Sequence, residues 1–230
     1  MSRHPHGSPD GGLQAVLWDL DGTLIDSEPA WMAAEFALAA RHGASWSEEQ
    51  ALALLGSDLL AAALRIRDHM CLPMTPQEIV DHLLGDVITA VRDSVPWRPG
   101  ARRLLLDQHA AGIPAALVTM SYRSLAQVVL DALPTGLFAA VVVGDEVSPG
   151  KPHPEPYLRA ARLLGVDPER CVGIEDSPAG VLAAESAGCH VLVVPHRVSV
   201  PVTPRRTVVP SLGAVDVSAL RRLACGLVTK

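Results

Sequence analysis

Two aspartates, Asp19 and Asp21, stand close together directly after the apolar segment 13–18. A short apolar segment of this kind is typical of a strand buried on both faces of a parallel sheet, and ligands bind just beyond the carboxyl ends of such strands. Gly22 then allows a sharp turn. Two carboxylates in one small site repel each other unless a divalent cation lies between them or one of them holds a proton. The spacing is therefore consistent with a metal-dependent catalytic site, and also with a common Asp-Gly turn after a strand.

Phosphate-binding groups follow two further segments. Thr119 ends the predicted strand 115–119, and its hydroxyl and the backbone N–H groups of Met120 and Ser121 are suited to hold a phosphate oxygen at a helix N-terminus. Lys151 lies in a loop fixed by neighbouring proline and glycine, where its charge would neutralise a phosphate. Taken singly, the threonine also fits an ordinary cap and the lysine a solvated surface position.

An acidic pair, Glu175 and Asp176, follows the predicted strand 171–174 and leads through Ser177 into a helix. Such a pair acts either as a helix cap or as part of an oxygen cage for magnesium. Together with the residues above, it places a suitable polar group at every strand end where phosphoryl transfer requires one. This coincidence favours a phosphoryl-transfer site over a set of unrelated turns and caps.

From residue 99 onward, helical and strand-like patterns alternate regularly. This alternation predicts an α/β fold with a doubly wound, parallel, Rossmann-like sheet covered by helices on both faces. Residues 198–207 are rich in proline and arginine and are predicted to form an irregular surface loop, with a short strand-like piece and a last helix after them. The predicted strands after the first are 115–119, 139–143, 171–174 and 190–194, and the predicted helices are 100–111, one from 121, 155–164, 178–187 and one from 216.

Helical patterns, and no convincing strand, fill the stretch between Glu28 and Val95. A crossover between parallel strands needs only one helix, so this stretch is predicted to be an all-helical domain inserted after the first strand. The helical patterns cover 29–41, 47–55, 58–70 and 75–93. The predicted organisation is a disordered extension over residues 1–12, the sheet domain over 13–27 and 97–230, and the helical domain over 28–96.

Composition restricts the possible partners. The chain has 230 residues, of which 49% are hydrophobic, and a formal net charge of -6, which argues against a nucleic-acid-binding protein. Its apolar runs are too short to span a membrane. The 4 cysteines show no Cys-x-x-Cys spacing and no apolar signal segment begins the chain, so we expect a cytoplasmic protein with reduced thiols, and a monomer.

The segments DLDGTLIDSEP, LVTMS, GKPHPEPY and GIEDSPAG, in this order, resemble the haloacid dehalogenase superfamily. The similarity is to its phosphatase-like members with a helical cap and to the β-phosphoglucomutase-like group, and it extends from residue 13 to about 225. It implies that the inserted helices are a mobile cap. The roles that the resemblance implies are nucleophile for Asp19, general acid/base for Asp21, phosphate binding for Thr119 and Lys151, and metal binding for Asp176 with Glu175 beside it.

These roles imply a magnesium-dependent phosphomonoester hydrolase acting on a small phosphorylated metabolite such as a sugar phosphate. Asp19 would attack phosphorus to give an aspartyl-phosphate, which divides one hard displacement into two easier ones. Asp21 would donate a proton to the leaving oxygen and then accept one from water. Magnesium, held by Asp19, Asp176 and the main-chain carbonyl of Asp21, would offset the repulsion between nucleophile and phosphate.

Other functions fit the sequence less well. A glycosyltransferase also uses an Asp-x-Asp pair, but it does not require Lys151 and the later acidic pair. A nucleotide-binding ATPase is disfavoured because Pro152 follows the Gly-Lys pair, and a dinucleotide-binding module because no G-x-G-x-x-G follows the first strand. A dehalogenase acting on carbon has no use for Asp21 as an acid, and a non-catalytic binding protein is expected to lack a motif residue.

The alternative function is that of a β-phosphoglucomutase-type sugar phosphomutase. Such an enzyme must hold the second end of its substrate and exclude water. In the mutase pattern an arginine closely follows the cap-loop glycine and a histidine follows the first motif, whereas here Arg65 is the first arginine after Gly56 and no histidine lies near Trp31. We therefore predict a hydrolase. In the mutase alternative, Arg65 or Arg67 would take the place of the arginine that the cap loop lacks. Trp31 fits either a hydrophobic contact or the substrate site.

Overall fold

The structure is a computed structural model, and it describes residues 12–54, 57–201, 203 and 205–226. The extension predicted for residues 1–12 lies outside these ranges except for Gly12, and so do Leu55 and Gly56 of the predicted cap loop. Within the described ranges, no helix combines the length and the apolar character that crossing a membrane requires.

A 6-stranded sheet forms the centre of the molecule, with the strand order β3-β2-β1-β4-β5-β6 and all pairs parallel. The doubly wound, Rossmann-like fold predicted from the sequence is confirmed. The central strand β1 lies between β2 and β4, so that the residues after these three strands meet at one edge. The strands are β1 (Ala15–Trp18), β2 (Ala115–Val118), β3 (Ala140–Val142), β4 (Cys171–Glu175), β5 (His190–Val193) and β6 (Arg206–Val208).

Five helices of the described chain begin after a residue whose side chain caps the N-terminus: Ser47, Asp58, Thr75, Ser177 and Asp216. Ser47 with Gln50, and Thr75 with Glu78, form capping boxes in which each side chain bonds the other residue's backbone N–H. The helices are α1 (Glu28–Arg41), α2 (Glu48–Leu52), α3 (Leu59–Met70), α4 (Pro76–Asp93), α5 (Ala101–Ala110), α6 (Arg123–Asp131), α7 (Glu155–Leu164), α8 (Pro178–Ser186) and α9 (Val217–Ala224).

Both faces of the sheet are covered by apolar side chains. Val16 and Trp18 of β1 belong to a cluster that includes Leu104 of α5, while Leu17 of the same strand packs on the opposite face with Tyr157 of α7. All of these side chains are fully buried. Alternate residues of a strand point to opposite faces, and burial on both faces explains why β1 is uniformly apolar.

Helices α1 to α4 form an all-helical insertion, called the helical insertion below, between β1 and α5. Its centre is α4, which packs against α1 and α3 through Ile79, Leu83, Val87 and Val91 on one face. The two chain segments that connect it to the sheet run side by side, since the Asp26 N–H donates to the Pro96 carbonyl at 2.8 Å and the Arg98 N–H to the Leu24 carbonyl at 3.0 Å.

Three boundaries predicted from the sequence are wrong by two residues or more. Helix α2 ends at Leu52 and not at residue 55. Helix α6 begins at Arg123 and not at Ser121, because the Ser121 carbonyl accepts from the Gly144 N–H at 3.0 Å and its hydroxyl is bonded outside the helix. The loop predicted over residues 198–207 ends early, since Arg206 and Thr207 belong to β6. The Arg206 guanidinium pairs with Glu185 at 2.6 Å, which fixes this edge strand although its flanking prolines suggest a loop.

Candidate active site

Asp19 and Lys151 form a buried ion pair at the carboxyl end of β1. The Asp19 N–H donates to the Ile174 carbonyl at 3.0 Å, which extends the pairing of β1 with β4 by one residue. The Lys151 ammonium donates to Asp19 Oδ1 at 2.7 Å, to the Val118 carbonyl at 2.9 Å and to Glu175 Oε1 at 2.5 Å. These three bonds use all three protons of the ammonium group and fix the charge between β2, β1 and β4.

The ion pair changes the protonation behaviour of both partners. Burial and the nearby Glu175 carboxylate raise the pKa of Asp19 to about 7, against the lowering effect of Lys151. Burial lowers the pKa of Lys151, but the two carboxylates Asp19 and Glu175 outweigh it and raise that pKa above its ordinary value. The lysine is therefore charged, and it is the group that favours an ionised Asp19.

Glu175 ends β4 and is fully buried. Its Oε1 accepts from Lys151 and from the Tyr157 hydroxyl at 2.6 Å, and its Oε2 accepts from the Ser177 hydroxyl at 3.3 Å. Helix α8 packs directly against it, because a Cβ atom added to Gly180 would lie 2.0 Å from the carboxylate. These contacts hold Glu175 against the lysine. The helix cap considered for the acidic pair is formed by the next residue instead, since the Ser177 hydroxyl accepts from the Gly180 N–H at 3.1 Å.

Asp176 faces the turn after β1. A Cβ atom added to Gly22, which has φ +81°, would lie 2.0 Å from Asp176 Oδ2. Carboxylate oxygens of Asp19, Glu175 and Asp176 lie within 4.8 Å of one another. Burial, followed by repulsion from Asp19 and Glu175, raises the pKa of Asp176. Three carboxylates in mutual repulsion form a set of hard oxygen donors of the kind that suits Mg²⁺, so the residues fit this ion.

Asp21 is separate from this cluster and is held by four donors. The Ser121 hydroxyl donates to its Oδ2 at 2.6 Å and the Thr119 hydroxyl at 3.2 Å. The Ser27 hydroxyl and, at 3.5 Å, the Trp31 indole N–H donate to its Oδ1. The donors come from the loop after β2 and from the start of α1, so both the sheet and the helical insertion fix this carboxylate.

The loop after β2 brings Thr119 and Met120 to the same place. The Thr119 hydroxyl also accepts from the Ser121 N–H at 2.9 Å, and this contact engages one of the two N–H groups expected to bind phosphate. The Met120 sulfur accepts from the Lys151 N–H at 3.3 Å, and its methyl group lies against Gly150. The structure therefore brings together all residues expected at the site, with the Met120 side chain supporting the lysine loop.

A cleft opens between these strand ends and the helical insertion. Trp31 lines it, donates to Asp21 and packs against the buried apolar cluster, so the hydrophobic contact considered for this residue is present and contact with a substrate stays a prediction. The cleft residues from the strand ends and the nearby loops are Asp19, Asp21, Ser27, Thr119, Met120, Ser121, Lys151, Asp176, Ser177, Pro178, Arg197 and Val198. Those from the helical insertion are Glu28, Trp31, Met32, Glu35, Ala51, Leu54, Ser57, Leu59, Ala62, Ile66, Val80 and Leu83.

Sequence reasoning missed an ion-pair network at the rim of this cleft. Arg197 donates to Glu28 Oε2 at 2.9 Å, and His196 Nε2 lies 2.9 Å from Asp26 Oδ1. His196 Nδ1 lies 2.7 Å from an Arg98 guanidinium nitrogen. Burial raises the pKa of Glu28, against the lowering effects of His196 and Arg197. Arg197 pairs directly with Glu28, and Arg98 is linked to Asp26 through His196, so the network connects the loop after β5 to the start of α1.

The side-chain contacts of two other cleft residues were also missed. Ser121 follows a strand and precedes a helix, so its sequence position indicates a cap and gives no sign of a bond to Asp21. Glu35 lies in a helical pattern in which glutamate is ordinarily exposed, yet it is buried in the cleft wall. No local signal marked Glu35, because its burial depends on Trp46 after the end of α1 and on the packing of α3 and α4.

Known proteins share the sequence pattern and the fold of this chain. A family model described as haloacid dehalogenase-like hydrolase matches residues 13–188. Hexitol phosphatase A of Escherichia coli K12 is 36% identical over 185 residues, which cover 79% of this chain and 82% of that protein. Hexitol phosphatase B of the same strain is 31% identical over 190 residues, covering 80% and 84%. The resemblance inferred from the motifs is thus confirmed.

A solved structure supports the same relationship. A mutant of CbbY from Rhodobacter sphaeroides, crystallised with xylulose 1,5-bisphosphate, matches with a TM-score of 0.82 and 26% sequence identity. The match covers 91% of this chain and 99% of that chain. Nearly the whole of that fold, including its helices, therefore has a counterpart here.

Proposed function

The chain belongs to the haloacid dehalogenase-like hydrolase family and is a phosphatase of that type, and we propose that it hydrolyses the phosphomonoester of a small sugar or sugar alcohol through an aspartyl-phosphate on Asp19. The proposal takes its substrate class from the hexitol phosphatases among the relatives. The observation that carries its chemistry is the different pairing of the two aspartates: Asp19 is bonded to a lysine, and Asp21 is bonded to hydroxyl and indole groups.

This difference assigns a separate task to each carboxylate. Asp19, beside the charged Lys151, is the nucleophile, and its oxygen attacks phosphorus while the bond to the ester oxygen breaks. Asp21 donates its proton to the departing ester oxygen. A water molecule then attacks the phosphorus of the aspartyl-phosphate and transfers a proton to Asp21, which releases inorganic phosphate and regenerates Asp19.

We propose that Asp19, Asp176 and the main-chain carbonyl of Asp21 hold Mg²⁺. When bound, the ion reduces the repulsion between the anionic nucleophile and the anionic phosphate. Glu175 lies in the same acidic cluster, but its oxygens are bonded to Lys151, Tyr157 and Ser177. We therefore assign Glu175 the task of positioning the lysine and not that of a direct ligand.

In this proposal the Lys151 ammonium and the Thr119 hydroxyl exchange their bonds to Asp19 and Asp21 for bonds to phosphate oxygens, and the Met120 backbone N–H binds the same phosphate group. We propose the domain division predicted from the sequence, with a sheet domain over residues 13–27 and 97–230 and a cap over residues 28–96 that closes over the cleft. The paired connecting segments at Asp26 and Arg98 support these boundaries, since two adjacent segments are suited to act as one hinge.

A hydrolase is favoured over a sugar phosphomutase by the charges in the cleft. Within the described part of the chain, Lys151 and Arg197 are the cationic residues that line it, and Arg197 is bonded to Glu28. A mutase must grip a second phosphate group while it excludes water. Lys151 is occupied at the first phosphate, so no unpaired cation among these residues is left for the second.

The test is phosphate release from hexitol 6-phosphate, glucose 6-phosphate and β-glucose 1-phosphate, with magnesium and with a chelator. We expect release that stops in chelator, and no glucose 6-phosphate from β-glucose 1-phosphate supplied with a trace of the bisphosphate. Asp176→Ala should raise the magnesium concentration needed for half-maximal activity, whereas Asp86→Ala, in an exposed ion pair with Arg41, should not. Full activity in chelator, or efficient formation of glucose 6-phosphate, would contradict the proposal.

A further inference from the structure

Glu35 is a buried carboxylate in the part of the cleft wall formed by the helical insertion. Glu35 is only 6% exposed, and it lines the cleft from α1. The Trp46 indole N–H donates to Glu35 Oε2 at 2.9 Å. Within the described residues, this is the hydrogen bond that the carboxylate receives, and the reaction proposed above makes no use of it.

The surroundings of Glu35 are otherwise apolar. The same wall is formed by side chains such as Met32, Leu54, Ile66 and Leu83. Placing a carboxylate among them is unfavourable unless its hydrogen-bonding capacity is used, and one indole N–H uses only part of it. Burial accordingly raises the pKa of Glu35 to about 7, against the lowering effect of the Trp46 bond. Packing alone therefore does not account for an acidic residue at this position.

The position of Glu35 along α1 sets its distance from the reacting groups. Trp31 precedes it by one helical turn on the same side of α1, and the Trp31 indole contacts Asp21 at 3.5 Å. A helix rises 1.5 Å per residue, so Glu35 lies roughly 6 Å further along the helix axis than Trp31. A leaving group that lies along α1 from the Trp31 indole to Glu35 must therefore be longer than a two-carbon chain.

The charges of the cleft residues determine which substrate groups can bind to Glu35. The described cleft residues of the helical insertion include Glu28 and Glu35 and no lysine or arginine. A carboxylate or second phosphate at the far end of a substrate would face a carboxylate there, whereas a hydroxyl group would donate to it. We propose that Glu35, oriented by Trp46, binds the distal hydroxyl groups of an uncharged polyol leaving group and rejects substrates with an anionic far end. This inference rests on the proposed function and assigns Glu35 as a specificity-determining residue.

A purely structural alternative is that Glu35 only anchors Trp46. The Trp46 ring also packs edge-on against the His69 ring, with 5.4 Å between the ring centroids. Glu35→Gln separates the two possibilities, because an amide oxygen still accepts from the indole while the carboxylate is lost. Glu35→Leu removes both. Glu49→Gln, an exposed glutamate of α2, is the matched control.

The experiment compares kcat/KM for hexitol 6-phosphate, hexitol 1,6-bisphosphate and p-nitrophenyl phosphate at pH 8.5, above the pKa of about 7 that burial gives Glu35, so that its carboxylate is ionised. For Glu35→Gln we expect the ratio of the hexitol monophosphate to p-nitrophenyl phosphate to fall roughly tenfold, and for Glu35→Leu roughly a hundredfold, the range for a hydrogen bond to a charged group. The preference of the wild type for the monophosphate over the bisphosphate should shrink in both variants. The Glu49→Gln control should keep all three ratios.

Failure of this inference is distinguishable from failure of the proposed function. Equal losses on all three esters in both Glu35 variants would show an anchoring role alone and overturn the inference, and so would unchanged ratios. Efficient hydrolysis of the bisphosphate by the wild type would also overturn it. A wild type that hydrolyses none of the three esters would overturn the proposed function, and this inference with it.

Discussion

The ammonium of Lys151 lies 2.7 Å from Oδ1 of Asp19, although 132 residues separate them in the chain. Both side chains are buried, with 4% and 10% of their surfaces exposed. The same ammonium is bonded to Glu175, so removing it leaves two buried carboxylates without their cation. The lysine thus contributes both to the stability of the site and to the charge at the phosphate.

Lys151→Met should lower the free energy of unfolding by about 3–5 kcal/mol, because loss of one partner leaves uncompensated buried charge. It should also lower kcat/KM for a phosphate ester at least about a hundredfold, the effect of losing one preorganised charge-stabilising donor. Denaturant unfolding and steady-state kinetics check both values. Arg162→Met, in an exposed ion pair with Glu155, should change stability by less than about 1 kcal/mol and leave activity intact. Equal effects of the two substitutions would contradict the account.

Gly22→Ala should abolish activity by displacing Asp176. The new methyl group would lie 2.0 Å from Asp176 Oδ2, in a backbone conformation with φ +81° that disfavours side chains. Gly165→Ala is the control, since Gly165 has φ +67° but nothing within 4 Å of an added Cβ atom. The Gly165→Ala variant should lose roughly 1–2 kcal/mol of stability through backbone strain alone, and its kcat should not change. If both variants keep their activity and magnesium requirement, Asp176 is not a ligand held by this turn.

Glu35→Gln should stabilise the protein at neutral pH. Burial raises the pKa of Glu35 from 4.5 to about 7, so the folded protein holds a proton there that the unfolded chain releases. Its contribution to stability is therefore fully present below pH 4.5 and decreases as the pH rises through 7. At about 1.4 kcal/mol per pH unit, the total loss is about 3 kcal/mol.

Urea unfolding of the wild type and Glu35→Gln between pH 4 and pH 8.5 measures this directly. The variant should gain stability relative to the wild type as the pH increases, with no gain near pH 4. A difference that is constant over the whole range would show that Glu35 does not titrate in the folded protein as described.

The sequence was sufficient to predict the groups at the strand ends. Asp19, Thr119 and Asp176 each follow an apolar run that is recognisable on its own, and parallel strands bring their carboxyl ends to one edge whatever the details of packing. The alternation of strands and helices and the inserted helices follow from the same local patterns. The cluster could therefore be predicted before any contact was known.

Other features depend on contacts between distant segments and left no local pattern. Glu175 looks like a metal ligand in sequence, but Tyr157, 18 residues earlier, and Lys151 occupy its Oε1. Glu35 looks like an exposed helical residue until Trp46 and the apolar side chains of the helical insertion close around it. Arg197 lies just before the predicted loop 198–207, and its bond to Glu28 spans 169 residues.

The most direct test of the proposed mechanism is to detect an aspartyl-phosphate on Asp19. The Asp21→Asn variant, in the presence of magnesium, makes this intermediate observable. p-Nitrophenolate leaves without a proton, so this variant should still phosphorylate Asp19 but hydrolyse the product slowly, because no carboxylate accepts the proton of water. Stopped-flow absorbance should show a burst of about one equivalent of p-nitrophenolate per enzyme, the kinetic sign of a covalent intermediate. Acid quench, borohydride reduction and mass spectrometry should then locate the modification at Asp19. A wild type that turns over while the variant shows no burst, or a modification at any other residue, would contradict the central claim.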